Sequence, residues 1–309
     1  MFAGPSVRLA VAGWFFVAMA AAARQPLVAP LVLVDVAVES AGGQAVAGLT
    51  KEDFAITTGG ATPPIEFFAT SAGQPRSLVL LFDTSASVHD VTSRGGVRAS
   101  VEKWFLPRLA PDDRVHVGSF ARQIAIGPSL AGNAKELQPV IRKALDPREA
   151  DTFGPSPIWD AVAAAVETLA KTEGRRAVLL LTDGRATGNR LSMEEAAALA
   201  VAAGVVVSVV GKDWEMTIQQ DAKTGVRVRP GVALERIASI TGGLYVRDGG
   251  IPAAPGEILA RLLADLRGRY TLGFKPAIRD GKPHELDVRV SRPGLTLRAP
   301  QFYIAAAER

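Results

Sequence analysis

The chain has 309 residues, 48% of them hydrophobic, and it contains no cysteine. This length and composition exclude a disordered chain and allow one large domain or two modest ones. The formal charge of +4 is small and the arginines are scattered, so a solvated surface is favoured and nucleic acid is not an expected partner. Without disulfides, stability must come from a packed core or from bound metal.

The first 23 residues are typical of a secretory signal peptide. Arg8 gives a short basic start, an uncharged run follows from residue 9 to residue 23, and small alanines precede Arg24. The run is shorter than the roughly 20 residues of a spanning helix, which favours cleavage near Ala23 over an uncleaved anchor. No cysteine follows, so a lipoprotein anchor is excluded. We expect an exported protein in the periplasm, at the cell surface or secreted, with no membrane span after signal cleavage.

Residues 24–75 predict a small β unit. The stretch "LVLVDVAVES" alternates apolar with other residues, as a half-buried strand does, and "AGGQAVAG" supplies turn material. In "LTKEDFAITTGG", Thr50 can cap a helical turn with Asp53 three residues later, before a second short strand.

Residues 76–268 predict a parallel sheet covered by helices on both faces. The runs "SLVLLF", "RVHVGSF", "RAVLLLT" and "GVVVSVV" are continuously apolar, which is typical of strands buried on both faces. Longer helical stretches separate them. They lie at 89–109, 133–145, 156–172, 192–203, 231–241 and 255–268. The apolar block "EAAALAVAAGVVVSVVG", which begins in the fourth of these regions, is broken at Gly204, so it is a helix followed by a strand and not a membrane span.

The tail, residues 269–309, returns to short alternating strands separated by glycine and proline, which are hairpin signals. Neither this tail nor residues 24–75 has enough strands to bury a core alone. We therefore predict that the two segments pair in one small β-sandwich. The predicted fold class is a doubly wound, mostly parallel α/β sheet of Rossmann-like type with this sandwich attached.

Oxygen-bearing side chains follow the predicted strand ends. Asp83, Ser85 and Ser87 leave the first strand in "DTSAS", Asp183 follows another in "VLLLTDG", and Ser156 precedes a helix in "FGPSPIWDAV". The carboxyl ends of parallel strands meet at one edge of a sheet. Carboxylates and hydroxyls without histidine or cysteine suit Mg²⁺ or Mn²⁺ completed by water. Each residue alone could equally cap a helix or a turn, so the metal prediction rests on their occurring together.

The region from residue 76 to residue 268 resembles the von Willebrand factor A-type domain. Asp83, Ser85 and Ser87 match the DxSxS loop of that family's metal-ion-dependent adhesion site, and Asp183 matches its distal aspartate. Ser156 falls where the family usually has threonine in a "GT" setting, whereas the context here is "GPSP". The flanking "GLTKEDF" and "RYTLGF" resemble exported bacterial proteins called VWFA-related.

The resemblance implies a division of roles around the metal. The hydroxyl groups would contact the ion directly, and the aspartates would often act through water. An acidic side chain of a protein partner would complete the shell. Two aspartates only just neutralise a divalent ion, so the metal would remain attractive to an anionic oxygen from outside.

Three functions compete on this basis. The first is a non-enzymatic, metal-dependent module that binds a protein partner, and the second is a scaffold in which the metal only stabilises the loops. Both use the same ligands, so sequence does not separate them. The third is a Mg²⁺-dependent phosphatase of the haloacid dehalogenase type, but that class needs a second aspartate where this chain has Ser85. No GxSxG elbow supports a serine hydrolase. We predict the binding module.

Two further features bear on the site. His89, His116 and His284 are isolated and lack the spacing of a zinc motif. Residues 211–231 should leave the carboxyl end of the "GVVVSVV" strand, at the same edge of the sheet as the predicted metal site. This segment could shape the partner site or be a disordered loop. We expect Trp159 to pack in the core.

Overall fold

The structure is a computed structural model. It describes residues 31–71, 73–85, 91–145, 154–212, 219–220, 225, 227–248 and 255–307. The predicted signal peptide, Ser87 and His89 lie outside these residues, as does part of 211–231. Leu31–Arg309 form one compact unit. Among the helices of the described ranges, none combines the length and apolarity needed to cross a bilayer.

The described strands are, in chain order, β1 (Val32–Ser40), β2 (Phe54–Thr57), β3 (Ile65–Thr70), β4 (Arg76–Asp83), β5 (Arg114–Phe120), β6 (Ile124–Ile126), β7 (Leu130–Ala131), β8 (Arg175–Thr182), β9 (Val205–Lys212), β10 (Gln219–Gln220), β11 (Arg227–Val228), β12 (Tyr245–Asp248), β13 (Tyr270–Phe274), β14 (Pro283–Glu285), β15 (Asp287–Val290), β16 (Leu295–Arg298) and β17 (Phe302–Ile304). The described α-helices are α1 (Val91–Ser100), α2 (Ala134–Ala144), α3 (Ile158–Ala170), α4 (Met193–Ala202), α5 (Pro230–Ile240) and α6 (Pro255–Arg267).

The central sheet has the strand order β12-β9-β8-β4-β5-β6, with β7 also pairing with β5. All neighbours on the main path are parallel except β5 and β6. The chain therefore starts in the middle of the sheet, winds outward on one side, returns and winds outward on the other. This is the doubly wound order, and its switch point lies between β4 and β8. The predicted fold class is confirmed.

The continuous apolar runs form the strands at the centre of this sheet because both of their faces are covered. All eight residues of β4 are buried, and the interior of β8 is equally apolar. Helices α3, α4 and α5 pack on one face, and α1, α2 and α6 pack on the other. Each fully buried aliphatic side chain of this kind stabilises the fold by about 1.5–3 kcal/mol. In β4 and β8, charged and polar residues therefore occur only at the strand ends.

The amino- and carboxyl-terminal segments form the predicted β-sandwich. One layer has the order β16-β1-β13-β3, and the pairs β2–β15 and β14–β17 face it. Alternate residues of β1 and β13 point into a shared apolar core, which includes Val34, Val36, Tyr270, Leu272 and Phe274. The domain boundaries at residues 24, 76 and 269 remain a prediction.

The segments "GLTKEDF" and "RYTLGF" meet inside this sandwich. The Tyr270 hydroxyl accepts a hydrogen bond from Leu49 N at 3.2 Å and donates one to Val46 O at 2.8 Å. The Phe54 ring lies 5.3 Å from the Tyr270 ring. Asp53 Oδ2 accepts a hydrogen bond from Thr50 N at 2.7 Å, as the predicted cap requires. The two stretches thus form one packing unit despite their separation in sequence.

Three strands of the central sheet lack a counterpart in the prediction. They are β6 and β7, which pair antiparallel with β5, and β12, which pairs parallel with β9. Each has four residues or fewer. Strands at sheet edges can be short and partly exposed, so their sequences lack the long apolar run that identified the central strands.

Candidate functional site

The predicted site lies at the carboxyl ends of the two strands that flank the switch point. Asp83 is the last residue of β4, and Asp183 follows the last residue of β8. Ser156 stands two residues before the start of α3. Doubly wound sheets bind ligands in the crevice at this position, because the connections from neighbouring strands diverge to opposite faces there.

The Asp83 carboxylate joins the three segments. It is only 4% exposed. Its Oδ1 accepts a hydrogen bond from Ser85 N at 2.9 Å. Its Oδ2 accepts one from Ser156 Oγ at 2.9 Å and one from Thr182 Oγ1 at 2.6 Å. The structure therefore brings the β4 end, the α3 entrance and the β8 end together on one side chain.

Asp183 is the second carboxylate of the site, and it is 3% exposed. Its Oδ1 accepts a hydrogen bond from Arg185 N at 3.0 Å. Its Oδ2 is buried and has no hydrogen-bond partner in the described parts of the chain. A buried carboxylate oxygen without a partner is unfavourable, so a donor or a cation is the expected complement.

Burial and charge repulsion act together on Asp83. Burial is the main cause that raises the pKa of the Asp83 carboxyl, and the nearby Asp183 carboxylate raises it further. Hydrogen bonds from Ser85 and Thr182 oppose this rise. Two carboxylates are thus held together in a region of low dielectric, where a cation would stabilise both.

The loop after Asp183 fixes the position of Ser156. Thr187 Oγ1 accepts a hydrogen bond from Ser156 N, and Thr187 N donates one to Ser156 O, both at 2.8 Å. The residue at the N-cap of α3 is Pro157, which has no polar side chain to cap the helix. Asn189 Oδ1 takes over that task and accepts a hydrogen bond from Trp159 N at 2.8 Å. Two segments therefore position Ser156: the loop after Asp183 binds its backbone, and Asp83 at the end of β4 binds its hydroxyl.

Asp160 and Trp159 have structural roles, and core packing of Trp159 is the role expected from the sequence. Asp160 accepts hydrogen bonds from Arg190 N and Leu191 N at 2.9–3.1 Å, which ties the same loop to α3. Trp159 packs in the core on the α3 face of the sheet. Neither side chain faces the pair of carboxylates as a ligand.

A groove of about 720 Å³ adjoins the site on the β5 side. It is lined by Thr84, Ser119, Gln123, Gly127 and Lys143, among other residues. Thr84 Oγ1 donates a hydrogen bond to Phe120 O at 3.1 Å, which holds the start of the "DTSAS" loop against β5. A group bound at Asp83 would therefore have polar surface beside it.

Of the five predicted ligands, the structure brings together Asp83, Ser85, Ser156 and Asp183, while Ser87 lies outside the described residues. Within the described ranges, no cluster of three or more His, Cys, Asp and Glu side chains could hold a metal. The donor set here consists of two carboxylates and hydroxyls, which suits a hard divalent cation.

Sequence reasoning did not assign roles to Thr182, Thr187 and Asn189. Thr182 directly precedes Asp183 at the strand end, so its position carried a usable signal. Thr187 and Asn189 lie in a loop without any strand or helix pattern, and only the fold brings them to α3.

Comparisons with known proteins add likenesses of fold. No family model matches the chain, and no curated protein matches its sequence. Among solved structures, the chain is similar to the conserved hypothetical protein BatB from Bacteroides thetaiotaomicron, with 20% identity and a TM-score of 0.47 over 62% of this chain and 98% of that one. It is similar to proximal thread matrix protein 1 from the mussel byssus, with 17% identity and a TM-score of 0.47 over 74% and 50%.

A third similar structure is described as von Willebrand factor type A from Catenulispora acidiphila. It has 12% identity and a TM-score of 0.46 over 91% of this chain and 75% of that one. Likeness at this level carries no conclusion about function, and the fold class rests on the order and direction of the chain's own strands.

Proposed function

We propose that the chain is a non-enzymatic, metal-dependent protein-binding module for adhesion or assembly. Asp83, Ser85, Ser87, Ser156 and Asp183 would hold a Mg²⁺ or Mn²⁺ ion, and an acidic side chain of a protein partner would complete its shell. Ser87 is included from the sequence motif. The observation that carries the proposal is the buried Asp183 Oδ2, which lacks a hydrogen-bond partner among the described residues beside a second buried carboxylate.

The direction of one hydrogen bond supports the proposal. Ser156 Oγ donates its single proton to Asp83 Oδ2. A hydroxyl that donates its proton in this way keeps both lone pairs for another partner. The bond to Asp83 also increases the negative charge on the Ser156 oxygen, which suits it to a cation.

Charge balance indicates what such an ion would do. Asp83 and Asp183 together neutralise a divalent cation, and serine hydroxyls add no charge. The ion would then bind a further anionic oxygen where the shell is completed from outside. A carboxylate of a protein partner supplies that oxygen, and the groove lined by Thr84 and Lys143 offers it adjacent polar surface.

The enzyme alternative has less support. A phosphatase of the haloacid dehalogenase type needs a carboxyl group two residues after the first aspartate to protonate the leaving group. Ser85 stands at that position and cannot serve as such an acid near neutral pH. Incubation of the protein with an aryl phosphate and Mg²⁺ is expected to release no phosphate above the rate without protein.

Calorimetric titration of chelator-treated protein with Mn²⁺ tests the metal. We expect one ion to bind the wild type, and Asp183→Asn to lose this binding because the ion then meets only one carboxylate. Asp112→Asn is the matched control, since Asp112 is exposed in a turn before β5, at the other end of the sheet. Absence of Mn²⁺ binding to the wild type would remove the metal from the proposal.

Proton relaxation of water separates the binding module from the scaffold. Mn²⁺ at an open position relaxes the water that exchanges there, and acetate or a glutamate-containing peptide should displace that water and lower the enhancement. A scaffold metal with a closed shell would bind Mn²⁺ and show no response to either carboxylate. That outcome would favour the scaffold function.

The location is part of the same proposal. An exported chain would meet its partner in the periplasm, at the cell surface or outside the cell. Fractionation of cells that express the full sequence, with amino-terminal sequencing of the product, is expected to give a mature chain that begins near Arg24. A product that retains the first residues and stays with the membrane would show an uncleaved anchor.

A further inference from the structure

A second charged cluster lies at the opposite end of the parallel sheet. Strands β4 and β8 begin there with arginines, next to the β-sandwich. A small cavity of about 10 Å³ is lined by Asp35, Arg76, Arg175, Arg176 and Arg269, together with apolar side chains. A cavity of roughly 10–15 Å³ on this measure holds one particle of the size of water.

Three of these arginines have N–H groups without an acceptor. Arg269 is only 1% exposed, and its Nη1 has no hydrogen-bond partner in the described part of the chain. The same holds for Arg176 Nε. Arg175 Nη1 lies 3.1 Å from Asp35 Oδ1 but makes no hydrogen bond with it, so its proton also lacks an aligned acceptor among the described residues. Buried guanidinium groups left in this way are unfavourable.

The charges around the cavity do not cancel. Three carboxylates pair with the four lining arginines: Asp113 with Arg76, Asp35 with Arg175, and Asp265 with Arg269. Among the described residues, one positive charge, that of Arg176, is left over. Nearby, Arg298 bridges Asp265 and Glu39, and Arg267 lies 4.0 Å from Asp113, so these neighbours do not remove the excess positive charge.

The pKa of Arg175 is consistent with this excess. Burial lowers the pKa of the Arg175 guanidinium most, Asp35 opposes the fall, and the positive charges of Arg269 and Arg76 lower it further. The direction comes mainly from burial, and the like charges of Arg269 and Arg76 add to it.

We infer that this cavity binds one small monovalent anion of the size of chloride, in contact with Arg175, Arg176 and Arg269. A halide accepts hydrogen bonds from all three guanidinium groups and neutralises the charge that the carboxylates leave. A water molecule accepts about two hydrogen bonds and must place its own two protons on acceptors. The volume excludes phosphate and any larger anion.

The anion would join the two parts of the fold. Arg175 and Arg176 begin β8 of the central sheet, whereas Asp35 belongs to β1 of the sandwich. Thr271 of β13 also contacts this group, since Arg175 Nη2 donates to its hydroxyl and Thr271 Oγ1 donates to Asp35 Oδ1 at 2.7 Å. A bound anion would hold sheet and sandwich together at a point where apolar packing is interrupted by charge.

Crystals of the purified protein soaked in sodium bromide test the inference without any variant. An anomalous bromide peak between Arg175, Arg176 and Arg269 is expected. A cavity that contains only water in such crystals, with bromide bound elsewhere on the surface, would overturn it.

Thermal unfolding in matched chloride and gluconate buffers provides the solution test. We expect the wild-type midpoint to be about 2–4 °C higher in chloride, because only the native state binds the anion. Arg176→Gln should lose this difference, and in gluconate it should be at least as stable as the wild type because repulsion is relieved. Arg289→Gln, at an exposed strand position, should keep the wild-type difference. Equal halide dependence in wild type and Arg176→Gln would contradict the inference.

Discussion

The two ends of β4 and β8 differ in the sign of their charge and in how that charge is neutralised. At the amino end, Arg76 pairs with Asp113 in the turn before β5, and Arg175 pairs with Asp35 of β1. At the carboxyl end, Asp83 and Asp183 lie together, and no cation among the described side chains forms an ion pair with either. Parallel pairing makes this contrast possible, because it gathers like ends of neighbouring strands at one edge.

Asp113 at the amino end and Asp183 at the carboxyl end show the difference between a charge that serves the fold and a charge that awaits a ligand. Asp113 is fully buried and receives three hydrogen bonds from Arg76 at 2.6–2.9 Å. It also accepts one from Ala110 N at 2.8 Å. By contrast, one oxygen of Asp183 has no partner in the described residues. A buried charge with a partner destabilises the fold strongly only when that partner is removed, whereas a buried charge without one is retained at a cost and is a sign of function.

Removal of a carboxylate from the amino end should have the largest effect. Asp113→Ala leaves the buried Arg76 guanidinium without its partner and is expected to lower the free energy of unfolding by about 3–5 kcal/mol. Urea denaturation followed by circular dichroism measures this change. Asp112→Ala, next to it but exposed, should change the free energy by no more than about 0.5 kcal/mol. A small effect at Asp113 would mean that the ion pair contributes little.

Removal of a carboxylate from the carboxyl end should change the free energy of unfolding in the opposite direction when metal is absent. Asp183→Asn keeps the oxygen that accepts from Arg185 N and relieves the repulsion with Asp83. We expect it to raise the free energy of unfolding in chelator by about 1–3 kcal/mol. In millimolar Mg²⁺ the order should reverse, because only the wild type gains stability from the ion.

The two stability curves together test the comparison. If Asp183→Asn destabilised the protein in chelator, Asp183 would have a structural partner, as Asp113 does. An unchanged order in Mg²⁺ would show that the ion does not bind the native state through Asp183.

Thr187→Val should weaken the carboxyl-end site with a smaller loss of stability. The change removes the acceptor for Ser156 N while keeping the shape of the side chain. We expect about 1 kcal/mol lower stability, because a single neutral hydrogen bond is lost. Mn²⁺ affinity should fall by about tenfold, as it does when groups that orient metal ligands are removed. Calorimetry measures both, and Thr187→Ser should restore the affinity. Equal affinity in Thr187→Val and wild type would leave Thr187 with a purely structural role.

Sequence predicted most of this fold because its central strands have a strong pattern. Apolar runs such as "SLVLLF" and "RAVLLLT" identify buried parallel strands, and the direction of those strands places Asp83 and Asp183 at one edge. The short edge strand Tyr245–Asp248 has no comparable run and was not predicted. The pairing of "GLTKEDF" with "RYTLGF" was expected only as a shared sandwich, since no local pattern predicts the contact between Leu49 and Tyr270.

The two charged ends differ in how well sequence reveals them. The oxygen groups of "DTSAS" and "TDG" follow strands directly, so their meeting could be predicted. The ion pair of Asp113 was not predicted, because its partner Arg76 lies 37 residues away and is reached only through the fold. The arginine cavity also collects Arg269 and Asp35 from the sandwich side, and scattered arginines in the sequence indicated only a solvated surface.

The exposed ion pair between Asp53 and Arg292 should have the smallest effect on stability. It serves as a reference for the buried charges at the ends of β4 and β8. Hydrogen bonds from the Arg292 side chain are the main cause that lowers the pKa of the Asp53 carboxyl below its ordinary value of 3.8, and the Thr50 backbone adds to it. Because the pKa is lower in the folded state, the stability that Asp53 contributes is present above the unfolded-state pKa. It is lost as the pH falls through the folded-state pKa.

Arg292→Gln should therefore be less stable than the wild type at pH 6, and the two thermal midpoints should approach each other towards pH 2.5. Arg289→Gln, which breaks another exposed pair with Asp287, is the matched variant and shows how much of the effect comes from the loss of any exposed arginine. If the Arg292→Gln deficit stayed constant with pH, the side chain would act through packing and not through the Asp53 charge. Such a result would mean that the exposed pair, unlike the buried charges at the ends of β4 and β8, does not stabilise the protein through its charges.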